Sequence, residues 1–556
     1  MAKIEKFVFD ENIPTVVETT YFDKWPVVYV INDDEEVYIG ETIDISQRTS
    51  QHLKKKEKQR LKYLHLISDD DYNKSVILDL ESFLIKYFSA DNKFITQNVS
   101  SGHPHNFYNR SKYQERFEDI WQQLLNDKLV SNSIKDIENS TLFKYSPYKS
   151  LSDDQNKVIS DLISYILSNY QNNNKQTYLV NGGAGTGKTV VAMMLLKLLT
   201  DFKRDLSDED FESDDILYKE LQAKRIPEDF KVGLVIPMDN LRSTLKDVTK
   251  SIKSLKGLVY SPTDISKTSK DYFDLLIVDE AHRLRKAKNL TNVRAFYDAN
   301  LRLGFDEKDG TELDWIKYCS KQQVLFYDRI QSIKKTDIGY DKFNEIIGNQ
   351  YIELQLHKQH RCMGGNDYIN YVKDIFNNQA ITKKDIDNYG FEDTYDLKIF
   401  DDVNEMINEI IVNNEKYGLC RNVAGYAWKW ISKKDKSKYD FDFNGIKYQW
   451  NNKVNNWVNS NSSINEIGSI HTIQGFDLNY CGVILGNDIG YDKINHKIII
   501  RKDNYYDAKG KADTKIEDLE TYIKNIYLVL LTRGIMGTYI YVCDKDLREY
   551  LREYVK

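Results

Sequence analysis

In NGGAGTGKT, Gly182, Gly187, Lys188 and Thr189 keep the spacing GxxxxGK[ST], directly after the apolar run YLV and before VVAMMLL. Glycines at such a turn let backbone N–H groups close around phosphate oxygens, and Gly183, Gly185 and Thr186 complete the loop. Lys188 would neutralise the outer phosphates of a nucleotide, and the Thr189 hydroxyl would coordinate magnesium. A second apolar run, LLIVDEAH, delivers Asp279 to a strand end, where it can hold the same Mg²⁺ through water. Glu280 beside it is placed to orient or deprotonate an attacking water. A glycine turn or a strand cap explains either stretch alone; the two together point to ATP hydrolysis.

Near the start lies a second group of reactive residues. VVYVINDDEEVYIG sets Tyr29 and Tyr38 on two short β-type runs flanking an acidic turn. Arg48 follows in ETIDISQR and His52 in TSQH. Glu81 stands in LDLESFLIKYF, at the expected start of an apolar helix, and Asn98 in TQNVSSG. This ordered set resembles the GIY-YIG nuclease family, with valines in place of the first Gly and Ile. The resemblance implies an endonuclease in which Glu81 holds one divalent metal, Mg²⁺ or alternatively Mn²⁺, against the scissile phosphate. Arg48 would offset charge on the phosphoryl group, and Tyr29, with His52, would take the proton from an in-line water. Tyr38 either shares that role or fixes the hydrogen-bond network, and Asn98 completes the set. Two other readings stand beside this one: a hairpin whose tyrosines pair for packing, and a nuclease fold kept as a binding module. The neighbouring run LKKKEKQRLK either supplies phosphate contacts or is a solvated helix face.

Both groups need elements to hold them, and 556 residues suffice for three or four domains. Residues 1–110 read as a small α+β unit, and 111–145, with RFEDIWQQLLNDKL, as an amphipathic helical linker. Ser152 is an expected N-cap for the helix that opens the next unit, residues 146–345. There TYLV, VGLVIP, LLIVDE and VLFYD alternate with helical sequence, as in a parallel sheet covered on both faces. A further set of strands, NVAGYAW, GSIHTI, CGVILG and NIYLVLLT, is expected in residues 346–556. The acidic stretch from Asp201 reads as a solvated insertion, and residues 491–519 as an irregular lysine-rich one.

More motifs fall within these two α/β units. VLFYDRIQS places Asp328 and Gln331 after a strand, LHKQHRC offers Arg361, and LLTRG offers Arg533. Gln155 precedes the glycine loop, and HTIQGFD carries His471, Gln474 and Gly475. With NVAGYAWKW and IHTIQGFDLNYCGVILG, residues from about 145 to 556 resemble the Schlafen-type helicase family. The resemblance implies two RecA-like domains forming a superfamily 1 motor. Asp328 and Gln331 would sense the γ-phosphate, Gln155 would read adenine, and Arg361 and Arg533 would stabilise the transferring phosphoryl group. Gly475 would belong to the motif that couples nucleotide state to the nucleic-acid strand. Pro237, Arg242 and Ser243 in VIPMDNLRSTLK sit where such motors touch the sugar–phosphate backbone, or else form a structural turn and helix start. The tryptophans of AGYAWKW and YQWNNKVNNW read as packing, with base stacking as the alternative. His103 and His105 read as a loop, without metal-ligand spacing to an acidic or cysteine partner.

The composition sets bounds. Charged residues make up 29 % and hydrophobic ones 41 %, as in a soluble globular protein. The net charge of −7 supplies no global basic field, so any grip on nucleic acid must come from local grooves. Five dispersed cysteines argue against a disulfide or zinc framework, and the start lacks a long apolar segment, so a cytoplasmic location without membrane contact is expected. The expected activity is an ATP-dependent endonuclease–motor acting on DNA, with RNA as the alternative ligand. Bacterial defence against phage or plasmid DNA, or repair, is the expected setting. The contrasting class is an ATP-gated binding protein that does not cut.

Overall fold

The computed structural model describes residues 2–98, 107–148, 151–183, 185–202, 226–250, 252–288, 290, 293–329, 336–360, 362–376, 389–391, 393–453, 457–473, 476–507 and 516–555. The amino-terminal sheet contains β1 (Lys3–Val8), β2 (Val27–Asn32), β3 (Glu36–Thr42), β4 (Tyr63–Ser68) and the short β5 (Ile95–Thr96), in the order β1-β4-β2-β3-β5. β2 is buried along its whole length. Its Val28 and Val30 join the core that includes Val76, Leu80 and Leu84, while Tyr29 and Ile31 pack with Phe9, Ile13 and Phe22. A strand buried on both faces reads as a continuous apolar run, which is what VVYVIN is.

α1 (Ile13–Val17) and α2 (Ile45–Leu53) pack together, and Asp44 caps α2 by accepting from Gln47 N–H. α3 runs from Lys74 to Asp91, capped by Asn73. Glu81 therefore sits in the middle of this helix rather than at its start, because the helix begins at the Asn73 cap, before the apolar pattern becomes continuous. Three helices follow: α4 (Arg110–Asn126), α5 (Ile134–Asn139) and α6 (Thr141–Lys144). The linker is not a free tether. Trp121, Ile137, Phe143 and Tyr148 belong to one continuous core that runs from α3 into the next domain.

That domain opens with α7 (Asp153–Gln171), then β6 (Gln176–Gly182) and α8 (Lys188–Asp201). β7 (Val232–Val235), α9 (Asp239–Lys250), β8 (Val259–Tyr260), β9 (Phe273–Val278), β10 (Ser320–Tyr327) and β11 (Tyr351–Leu356) complete it. The six strands pair in parallel in the order β11-β6-β10-β9-β7-β8. Asp201 belongs to α8 and is buried against Lys197, so the expected solvated insertion starts later, and residues 203–225 lie outside the described residues.

The last domain has a second parallel sheet, β12-β20-β17-β13-β16. Its strands are β12 (Asp396–Phe400), β13 (Arg421–Ala424), β16 (Ile467–Ser469), β17 (Leu478–Leu485) and β20 (Gly534–Val542), with α10 (Val403–Tyr417) packed against β17. Two hairpins project from it, β14 (Phe441–Phe443) with β15 (Ile446–Tyr448), and β18 (Ile489–Asp492) with β19 (Lys497–Ile500). Contrary to expectation, NIYLVLL lies in α11 (Ile516–Leu531), not in a strand, and GSIHTI spans the end of the three-residue strand Ile467–Ser469 and a helical turn at Ile470–Ile473. Short apolar runs of this kind do not distinguish a buried helix from a buried strand. Within the 491–519 stretch the described residues include part of the β18–β19 hairpin and the beginning of α11. The fold is thus a small α+β domain followed by two RecA-like parallel-sheet domains.

Candidate active sites

Register explains the amino-terminal site. Tyr29 on β2 lies opposite Gly40 on β3, and Ile31 lies opposite Tyr38, so both tyrosines share one face. A Cβ at Gly40 would stand 2.2 Å from the Tyr29 oxygen, so the ring occupies the space that only glycine leaves. α2 brings two partners to that oxygen. Arg48 donates its Nε–H to Tyr29 Oη at 3.0 Å, and His52 Nε2 lies 2.9 Å from the same atom. The Tyr38 ring packs edge-on to His52, with centroids 5.1 Å apart.

Electrostatics differ sharply among these groups. Burial, then the neighbouring Tyr38, push the Tyr29 phenol well above its ordinary value, and Arg48 opposes the shift. The charge of Glu81 on α3 also raises it. His52 is pushed down to about 2 by burial, then by Arg48, Lys58 and Lys55, so its imidazole is neutral. With the phenol protonated and the imidazole neutral, Tyr29 can donate to His52 Nε2 while its oxygen accepts from Arg48. Tyr29 is fully buried, whereas Tyr38, Arg48 and Glu81 are half-buried.

Asn98 has a different place from the other expected residues. It accepts from Ile39 N–H at 3.0 Å and donates to Ile39 C=O at 2.7 Å, pairing as an extra strand residue would. Its amide is committed to holding β3, so it is a positioning residue. Sequence reasoning missed Lys58, which is buried with its Nζ 3.3 Å above the Tyr38 ring and donates to Gln97. The basic run containing Lys58 signalled only surface charge.

The second site gathers at the carboxyl ends of β6, β9 and β10. Lys188, at the start of α8, donates to Gly182 and Gly183 carbonyls at 2.8 and 2.9 Å and lies 3.3 Å from Asp328. Gly185 and Gly187 both have φ of +81°, a region that side chains with a Cβ rarely adopt. Thr189 donates to Asp279 Oδ2 at 2.6 Å. Asp279 Oδ1 is buried without a hydrogen-bond partner among the described residues. Burial, then the Glu280 charge, push the Asp279 carboxyl up. A carboxylate oxygen left unpaired beside a threonine hydroxyl fits a hard cation such as Mg²⁺.

Burial would raise Glu280 as well, but His282, Lys188 and Arg283 hold its carboxyl below the ordinary range. Glu280 has φ of +54°, a strained conformation for a residue with a side chain. Nothing in LLIVDEAH marks His282 for a role. Its Nδ1 accepts from Asp328 N–H at 3.3 Å, and its Nε2 lies 3.0 Å from Glu280, linking the two acidic residues.

Gln155 forms a capping box with Ser152 and donates from Nε2 to Thr186 C=O at 3.0 Å. Thr186 in turn donates to Gly183 C=O at 3.0 Å, which closes the loop on itself. From the last domain, Arg533 enters the same cavity, which encloses about 370 Å³ and is also lined by Gln155, Gly185, Lys188 and Glu280. Arg242 is turned inward, donating to Ile236 C=O at 2.9 Å and pairing with Asp239, as a structural helix start requires. Trp450 and Trp457 are core residues, and Trp428 and Trp430 are half-buried against the cluster that holds Trp450. Gln331, Arg361, Gln474, Gly475, His103 and His105 lie outside the described residues. The five cysteines are free, and among the described residues no helix is long and apolar enough to cross a membrane.

Comparison with known proteins gives two family matches. The model described as "Schlafen group 3, DNA/RNA helicase domain" matches residues 175–544, and the "GIY-YIG catalytic domain" matches residues 26–94. A Saccharomyces cerevisiae relative, "Uncharacterized protein YPL245W", is 30 % identical over 436 residues, covering 72 % of this chain and 90 % of the yeast protein. Among solved structures, the Pif1 helicase from Bacteroides in complex with ADP-AlF3 and ssDNA is 12 % identical, with a TM-score of 0.27, over 70 % of this chain and 92 % of that one. A DNA replication initiation factor is 14 % identical, with a TM-score of 0.21, over 50 % of this chain and 66 % of that one.

Proposed function

The chain belongs to the Schlafen group 3 DNA/RNA helicase family and carries a GIY-YIG domain ahead of the motor; from that premise we propose an ATP-driven, metal-dependent endonuclease acting on DNA. The observation that carries the cutting half is the convergence of Arg48 and His52 on the Tyr29 oxygen. Arg48, held on Tyr29 through Nε and on Gln51 Oε1 through Nη1 at 3.4 Å, would turn its guanidinium to a phosphate as substrate enters. Tyr29 passes its own proton to the neutral His52 as it takes one from water once the pocket opens to substrate, and the half-buried Tyr38 extends the network toward solvent. Glu81 would hold a divalent ion, Mg²⁺ or Mn²⁺, which would polarise the scissile phosphate. One carboxylate with waters and phosphate oxygens is an ordinary Mg²⁺ donor set.

In the motor, Lys188 and the loop amides bind the phosphates of ATP, and Thr189 with Asp279 would hold Mg²⁺. Glu280 orients the attacking water, with His282 fixing its carboxylate, and Asp328 reads the γ-phosphate. Gln155 reads the base from the edge of the loop. Arg533, and with it Arg361, offsets charge on the transferring phosphoryl group from the second RecA-like domain. Hydrolysis moves the two domains and controls where or when the nuclease cuts. The setting we propose is genome defence against phage or plasmid DNA, with repair as the alternative; it rests on the domain architecture alone.

Two observations support other readings. The family description names RNA beside DNA. Full burial of Tyr29 favours a module that binds without cutting, with ATP as a gate. A plasmid-nicking assay with Mg²⁺, with and without ATP, separates them. Glu81→Ala is expected to abolish nicking and spare ATP hydrolysis, and Lys188→Ala to remove hydrolysis. Absence of nicking on DNA and RNA under every nucleotide condition would reject the nuclease. ATP turnover that no single-stranded, duplex or branched DNA or RNA stimulates would reject the motor.

A further inference from the structure

The cavity that holds the glycine loop has a third wall. Besides Lys188 from the first RecA-like domain and Arg533 from the second, it is lined by Glu138, Phe143, Lys144 and Tyr145 of the connector. This short segment is tied on two sides. Toward the nuclease, Tyr87 on α3 donates its hydroxyl to Glu138 at 2.6 Å, its ring stands 5.2 Å from Phe143, and Lys86 Nζ lies 4.6 Å from the Phe143 ring. Toward the second RecA-like domain, Lys144 donates to Asp477 C=O at 2.9 Å. Asn139 donates to Tyr417 C=O at 3.1 Å and accepts from Asn479 at 2.9 Å.

α3 is also the helix that carries Glu81, six residues before Tyr87. A rigid helix can carry coupling between two sites when it has two discrete arrangements. A nucleotide that draws the two RecA-like domains together must therefore shift the connector against α3 or break its bonds to the second domain. We propose that the connector Ile134–Tyr145 is a nucleotide-contacting wall of the ATP pocket, and that it relays occupancy to the metal-holding helix through the Tyr87–Glu138 hydrogen bond. This relay rests on the ATP-driven endonuclease reading and supplies its physical link.

Hydrogen exchange on the full chain, with and without a non-hydrolysable ATP analogue and Mg²⁺, tests the relay. Near 100-fold excess over Kd, a ligand suppresses opening of the structure it contacts by up to about 100-fold. Exchange in the wild type is expected to slow about tenfold or more in both 134–145 and 74–91. Tyr87→Phe keeps the ring packing. It should bind the analogue with Kd unchanged within about twofold, keep the response of 134–145 and lose that of 74–91. Its nicking rate should then be the same with and without ATP. An unchanged α3 in the wild type, or a Tyr87→Phe response equal to the wild type, would overturn the relay. Protection of the glycine loop without protection of 134–145 would overturn the wall. Failure of the analogue to bind at all would instead remove the ATPase reading beneath both.

Discussion

Tyr29 is held by more than its own strand. Its ring fills the space above Gly40, and its oxygen is fixed by side chains from α2, so a small change across the hairpin reaches the reacting group. Gly40→Ala puts a methyl group where the phenol now lies. Overpacking of this kind costs about 1–3 kcal/mol, and a misplacement of about 1 Å at a reacting group can cost about 100-fold in rate. The variant should therefore melt earlier and lose nicking at least about 100-fold, while ATP turnover stays near the wild-type rate. Equal losses in both activities would mean that the damage is global and not confined to Tyr29.

At the scale of elements, the amino end of α7 does two jobs. Ser152 accepts from Gln155 N–H, and Gln155 Oε1 accepts from Ser152 N–H, which leaves the Gln155 Nε2 aimed at the Thr186 carbonyl. The cap thus orients the side chain that braces the glycine loop. Ser152→Ala is expected to lower stability by about 1 kcal/mol and to weaken nucleotide binding several-fold, read by calorimetric titration. A normal affinity would show that the loop does not depend on this brace. Such elements were legible in the sequence because caps, glycines and strand-end carboxylates act through their immediate neighbours. Ser152, Lys188, Asp279 and the two tyrosines all belong to this class. What escaped depends on tertiary context. Nothing local marks NIYLVLL as helix, Asn98 as a surrogate strand partner of Ile39, or Lys58 as a buried cation over Tyr38. The connector was legible as helix but its partners were not, since an amphipathic helix announces that it has a partner but not which one.

At the scale of the molecule, the cavity around the glycine loop takes its lining from both RecA-like domains, and the proposed ATP site needs both. Lys188, Thr189, Asp279 and Glu280 come from the first, and Arg533, between α11 and β20, from the second. Arg533 is only 2 % exposed and donates to Phe476 C=O at 3.3 Å, so its guanidinium is positioned before any nucleotide arrives. A preset donor of this kind acts on charge that develops in the transition state and adds little to ground-state binding. Arginine fingers contribute about 10³–10⁵ in turnover. Arg533→Ala should therefore lower kcat by about 10³ or more and leave KM for ATP within a few-fold. Arg533→Lys should recover little of this, because a point charge does not reproduce the planar fork. If the main effect instead falls on KM, Arg533 serves ground-state nucleotide binding, and closure of the second domain is not what drives hydrolysis.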